Sequence, residues 1–124
     1  MDAAGLRQAL VAEHRSIEAA LGELDPLLLA HDMPPPVAAA RAAFALVERH
    51  VEREEREFFP QLSGARRRLA ETMEGEHLYL HGMMQRIERA LGSHQIGLAH
   101  ALYREFRDLL GRHMAAEDVE LLEE

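Results

Sequence analysis

Two stretches that match each other in this 124-residue chain carry a histidine and, four residues on, a glutamate: His50-x-x-x-Glu54 and His113-x-x-x-Glu117. A third, His77-x-x-x-His81, pairs two histidines at the same spacing, and His14 is followed four residues on by Glu18. Four residues along an α-helix are about 40° of rotation and one turn of rise, so each pair shares a face and can grip one ion or two adjacent ions. A buried His or Glu without a partner is costly, and a carboxylate in an apolar interior usually has a cation beside it. Nitrogen and oxygen donors without sulfur favour iron or manganese, admit zinc and disfavour Cu(I) or clusters. Five histidines and two glutamates exceed the capacity of one ion. With Glu54, Glu117 and an oxo or hydroxo group as bridges, His77, His81 and His113 complete one six-coordinate ion. His14 and His50 leave the other ion with an open position, a place for O₂ or a small oxidant.

Four amphipathic helices would position these groups. The first carries Leu6, Leu10, His14, Ile17, Leu21, Leu24 and Leu28 at steps of four and three, a helical seam. Pro26 is expected to kink or end it, the run His31 to Pro36 reads as a loop, and Pro36 suits the first turn of the next helix. The second helix spans roughly 37–59, with Phe44, Val47, Val51, Glu54 and Phe58 along one side and Pro60 as its stop. Ser63-Gly64 reads as a turn with a cap. The third spans about 66–91, with Leu69, Met73, His77, Leu80, Met84, Ile87 and Leu91. Gly75 and Gly82 weaken it, or permit close helix approach. Gly92 and Ser93 suit a C-terminal and an N-terminal cap, and the fourth helix carries Leu102, Phe106, Leu109, His113, Glu117 and Leu121. The expected fold is all-α: an up-down-up-down antiparallel four-helix bundle in a single domain, 1–124.

The chain also repeats itself at an offset of 63 residues. Glu13-His14 matches Glu76-His77, Arg49-His50 matches Arg112-His113, Glu54 matches Glu117, and Glu55 matches Asp118. Ile17, Leu21 and Leu28 match Leu80, Met84 and Leu91. Each half is thus one helical hairpin, and two hairpins would pack about a pseudo-twofold axis.

Composition sets the outer limits. There are 22 acidic and 14 basic residues, a formal charge of −8, and no cysteine. This balance argues against a nucleic-acid groove, and the lack of cysteine excludes disulfides, thiolate metal sites and a cysteine nucleophile. The start of the chain lacks the apolar core of a signal peptide and no apolar run would span a bilayer, so a cytoplasmic protein without a membrane partner is expected. All the basic residues are Arg, which with abundant Ala suggests a GC-rich bacterial genome. His31, His94 and His100 fall outside the repeat and read as solvent-exposed. The run 52–57 reads as a solvated charged face apart from Glu54, and Met73, Met83, Met84 and Met114 read as packing. Tyr79 and Tyr103 read as bystanders rather than neighbours of the metal. Glu74-x-x-His77 matches half of a ferritin-type motif, but a second copy is lacking.

The pattern His14 … His50-x-x-x-Glu54 … His77-x-x-x-His81 … His113-x-x-x-Glu117 resembles the hemerythrin-like (HHE) cation-binding domain family. The strings AEHRSI (12–17), GEHLYL (75–80) and HVEREEREFFP (50–60) resemble that family's histidine-bearing segments, and the likeness covers essentially the whole chain. It implies a four-helix bundle around a non-haem di-iron centre. His77, His81 and His113 would hold one iron, His14 and His50 the other, with Glu54 and Glu117 bridging. Members bind O₂ reversibly, sense O₂ or redox state, handle iron, or react with peroxide or nitric oxide. Oxygen carriers of the family place an Asp five residues after the last His, and Asp118 occupies that place. Glu117 is favoured over Asp118 as the bridge, because it shares the His113 face and pairs with Glu54 in the repeat. Glu18 takes the repeat position of His81, so it either closes the open iron position or is a solvated or supporting carboxylate. The leading expectation is a di-iron module that binds O₂ or responds to oxidant. The rivals are an enzyme acting on peroxide or nitric oxide, an iron-handling protein, and a metal-stabilised bundle filled with zinc. A protein partner is left unspecified.

Overall fold

The computed structural model describes residues 2–29 and 34–123. Four helices make up the fold: α1 (Ala3–Leu29), α2 (Val37–Arg53), α3 (Gly64–Gly92) and α4 (Ile96–Glu120). No strand occurs among the described residues, and none of the helices is long and apolar enough to cross a membrane. Each helix packs on its two neighbours around the bundle, α1 on α2 and α4, α3 on α2 and α4. The directions are antiparallel. Down the α2–α3 interface Arg41 faces Glu88, Glu48 faces His81 and Glu55 faces His77.

The α1 seam is buried at all seven expected positions. On α2 the inward side runs through His50 rather than Val51, which is half-buried, and on α4 Leu110 is buried where Leu109 is only partly so. The four methionines expected to pack are all buried. The apolar core falls into two clusters. The larger includes Ile17, Leu21, Phe44, Val47, Leu80, Ile87 and Phe106. The smaller, toward the chain termini, gathers Leu6, Leu10, Phe58, Phe59, Met73 and Leu121. Between them lies the only group of buried polar side chains among the described residues: His14, His50, Glu54, His77, His113 and Glu117.

Several local expectations are corrected. Pro26 neither ends α1 nor replaces its last turn, because burial of Leu24 and Leu28 carries the helix on to Leu29. Pro36 sits at the N-cap of α2, one position before the helix. The second helix is α-helical only to Arg53. It then widens into a π-helical turn over Glu54–Phe58, closed by the Phe59 N–H on the Glu54 carbonyl, and a 3-10 turn over Phe59–Gln61. Phe58 and Phe59 are both buried where the wider turn passes into the 3-10 turn. The repeat reproduces the device: the Leu122 N–H reaches the Glu117 carbonyl at 2.9 Å, again five residues back, and Leu121 and Leu122 are buried.

Ser63 is the N-cap residue of α3 but makes no side-chain capping bond, and Gly64 follows with φ +61°. Between α3 and α4, the residue in the left-handed region is His94, with φ 58°, not Gly92. The Gln95 N–H bonds to the Ala90 carbonyl at 2.8 Å and the His94 N–H to the Leu91 carbonyl at 3.2 Å, a Schellman motif with His94 at C′. The N-cap of α4 is Gln95, not Ser93. Gly75 and Gly82 do not serve close approach, since a Cβ on either would meet nothing within 4 Å.

Candidate metal centre

Each helix delivers its part of the polar layer through its own seam. After His50 and His113 the inward positions advance by four, to Glu54 and Glu117. After His14 and His77 they advance by three, to Ile17 and Leu80. The position four after these two histidines is therefore left on the flank. That places His81 outside the layer: its side chain is 48 % exposed and its Nδ1 donates to Glu48 at 2.5 Å. Glu18, its repeat counterpart, is exposed and accepts from Arg107 at 2.8 Å.

The six buried residues converge tightly. His14, His50, Glu54 and Glu117 form one foursome, and Glu54, His77, His113 and Glu117 a second; in each, the candidate ligand atoms lie within 4.8 Å of one another. The Nε2 atoms of His14 and His50 are 2.9 Å apart, and those of His77 and His113 are 3.0 Å apart. Glu117 straddles the two pairs. Its Oε1 lies 3.0 Å from His14 Nε2, and its Oε2 lies 3.1 Å from His113 Nε2. Glu54 Oε1 lies 3.3 Å from both His50 Nε2 and His77 Nε2. Neither Glu54 oxygen nor Glu117 Oε2 has an aligned hydrogen-bond donor, although all are buried. Buried carboxylate oxygens left so, facing four imidazole nitrogens, are a donor set suited to cations.

On its outer edge each imidazole meets a carboxylate from an adjacent helix. His14 Nδ1 donates to Asp118 at 2.8 Å, His50 Nδ1 to Glu13 at 2.8 Å, His77 Nδ1 to Glu55 at 2.7 Å and His113 Nδ1 to Glu76 at 2.6 Å. Arg53 in turn donates to Glu13 at 2.8 Å. Asp118 thus lies outside the inner cluster, on His14, while Glu117 occupies the inside. Phe59 stacks on His77, with ring centroids 5.9 Å apart and planes 7° apart.

The electrostatics without a metal are those of protons held where cations would sit. Burial alone would lower the pKa of His50, but hydrogen bonds and charge from Glu117 and Glu54 outweigh it and push the value up to about 10. His77 is likewise pushed up to about 10 by Glu117, Glu54 and Glu55 against its burial. His113 is raised by Glu117 and Glu76 in spite of desolvation. Burial would raise Glu117, yet the surrounding His113, His14, His50 and His77 hold its carboxyl well below the usual range.

Other predicted residues lie elsewhere. Tyr79 is exposed and donates to Glu105, and buried Tyr103 donates to Asp25 and the Leu21 carbonyl, so neither joins the cluster. His94 is exposed, His100 is half-buried rather than exposed, and His31 lies outside the described residues. Sequence reasoning passed over Glu13, Glu55 and Glu76 as partners of the histidines. The signal was the repeat itself, which pairs Glu13 with Glu76 and Glu55 with Asp118.

An antiparallel four-helix bundle with a buried layer of histidines and carboxylates defines a metal-binding bundle protein. A comparison with protein families narrows the class: residues 5–124 match the hemerythrin HHE cation-binding domain, and the chain belongs to that family. No curated protein and no solved structure gives a significant match to the chain.

Proposed function

We propose that the polar layer holds two iron ions and that the protein binds or senses O₂ or a related small oxidant there. The observation that carries this is the division of Glu117, one oxygen toward His14 and the other toward His113. A carboxylate so placed is built to bridge two ions. His14 and His50 would serve one ion and His77 and His113 the other, with Glu54 and Glu117 shared. His81 has no part in this set, unlike the five-histidine arrangement that the family resemblance implied.

The nitrogen spacing bears on the metal. At a metal–nitrogen bond of about 2.1 Å, a tetrahedral ion separates two nitrogens by roughly 3.4 Å and an octahedral one separates neighbours by roughly 3.0 Å. The pairs lie 2.9 and 3.0 Å apart, close enough for each to share one ion, and the all-nitrogen-and-oxygen donor set suits iron or manganese and admits zinc. Two histidines and two shared carboxylates leave an octahedral ion with sites for an exogenous ligand. Bound iron would supply the redox change that takes up O₂ or reduces an oxidant. The chain excludes bulk water, since all six residues are at most 6 % exposed, and so limits access to small molecules.

The test is anaerobic reconstitution with Fe(II), followed by air, with the visible spectrum recorded as O₂ is removed and returned. A charge-transfer band that follows O₂ supports binding or sensing. An irreversible diferric spectrum assigns the centre to redox chemistry or iron handling instead. The lack of any iron-dependent band overturns the proposal.

A further inference from the structure

The four outer carboxylates form a closed ring whose order follows the chain. Glu13 on α1 holds His50 on α2, Glu55 in the π-helical turn that continues α2 holds His77 on α3, Glu76 on α3 holds His113 on α4, and Asp118 on α4 holds His14 on α1. Every interface between adjacent helices carries one such bond.

Helix geometry explains the order. A residue adjacent in sequence to an inward-facing one points about 100° away, onto the flank that meets a neighbouring helix. On α1 and α3 the carboxylate precedes the inward histidine, as Glu13-His14 and Glu76-His77. On α4 and on the π-helical continuation of α2 it follows the inward glutamate, as Glu117-Asp118 and Glu54-Glu55. Seen down the bundle, one step back on an ascending helix and one step forward on a descending helix turn the same way. The alternation therefore sends all four carboxylates round the bundle in one sense, so that each helix orients the ligand of the next.

We propose that Glu13, Glu55, Glu76 and Asp118 are positioning residues that take the Nδ1–H of each histidine and thereby present all four Nε2 lone pairs to the metal ions. This rests on the reading of the inner layer as a metal site. A carboxylate accepts only, so Nδ1 must carry the proton and Nε2 is the nitrogen left to ligate. The charge also makes the imidazole a better donor to the metal. This role accounts for Asp118 lying outside the inner layer although it sits five residues after His113: its carboxylate is committed to His14. The side chains of the four are 29 to 49 % exposed, so they can be changed at the rim without opening the core.

The experiment measures Zn(II) affinity, by competition with a chromophoric chelator, for Glu76→Gln and Asp118→Asn. Each is expected to bind about 10- to 100-fold more weakly than wild type. The charge-keeping exchanges Glu76→Asp and Asp118→Glu are expected to recover most of that loss, and exposed Glu120→Gln to change nothing. In the Zn(II)-loaded protein, imidazole ¹⁵N–¹H spectra are expected to show four downfield Nδ1–H signals. Glu76→Gln should move the signal of His113 and Asp118→Asn that of His14. Amide variants that bind within twofold of wild type, or that leave those signals in place, would overturn the positioning role. A wild-type chain that binds no Zn(II) would overturn the metal site itself, and the positioning role with it.

Discussion

Raising the pH is expected to destabilise the metal-free protein, against the usual behaviour of an acidic bundle with carboxylate ion pairs. His50 and His77 are each held near a pKa of about 10 in the folded chain, against an ordinary value of 6.5. Between pH 7 and 9 the folded state keeps these protons while the unfolded state has largely lost them. Folding stability then falls as pH rises, by about 1.4 kcal/mol per pH unit for each histidine. The contribution is whole below pH 6.5 and gone above about pH 10. Two histidines make the slope roughly 2–3 kcal/mol per unit, against a total stability of about 5–15 kcal/mol for a domain of this kind. No Cys or Lys titrates in this window, and His113, raised by Glu117 and Glu76, adds to the fall. The assay is urea unfolding of chelator-treated protein at pH 7, 8 and 9, followed by helical circular dichroism. His50→Gln is expected to lower the slope. Metal binding needs Nε2 deprotonated, so the metal-loaded protein is expected to gain in relative stability over the same range. A stability of the metal-free protein that stays flat or rises from pH 7 to 9 would refute the balance of charges described for the layer.

Other substitutions separate the inner layer from its surroundings. His81→Ala is expected to leave the metal content of purified protein unchanged, whereas His77→Ala lowers it, because only His77 faces the layer. Gly75→Ala and Gly82→Ala meet open space within α3 and are each expected to raise stability by roughly 0.5–1 kcal/mol in chemical denaturation. His94→Gly relieves a non-glycine residue at φ 58° and is expected to stabilise by about 1 kcal/mol, seen as a higher thermal midpoint.

The helical seams and the internal repeat made most of the fold legible, and with them the inward turn of His14, His77 and His113. What was misplaced turned on seam phase. A spacing of four puts two residues on one face, but whether that face is the buried one depends on the next apolar position. Ile17 and Leu80 show that the seam has moved on by three, which carries Glu18 and His81 to the flank. Three residues after His50 and His113 stand Arg53 and Ala116, neither fully buried, and Glu54 and Glu117 enter the core instead. Glu55 was lost in a charged run because its role depends on His77, an element away in the chain. The π-helical turn left no mark in the sequence, since adjacent buried pairs such as Met83-Met84 and Leu102-Tyr103 sit in regular α-helix. The left-handed turn fell at His94 because the bonds to Ala90 and Leu91 set its place, whereas residue type pointed to Gly92.

The central claim is that one buried layer holds two ions bridged by Glu54 and Glu117. The most direct measurement is the iron content per chain after anaerobic reconstitution and desalting, for wild type and for Glu117→Gln. Two iron ions per wild-type chain are expected, and a loss of at least one in the variant. A wild-type chain that retains one ion or none, or a variant that still holds two, would contradict it.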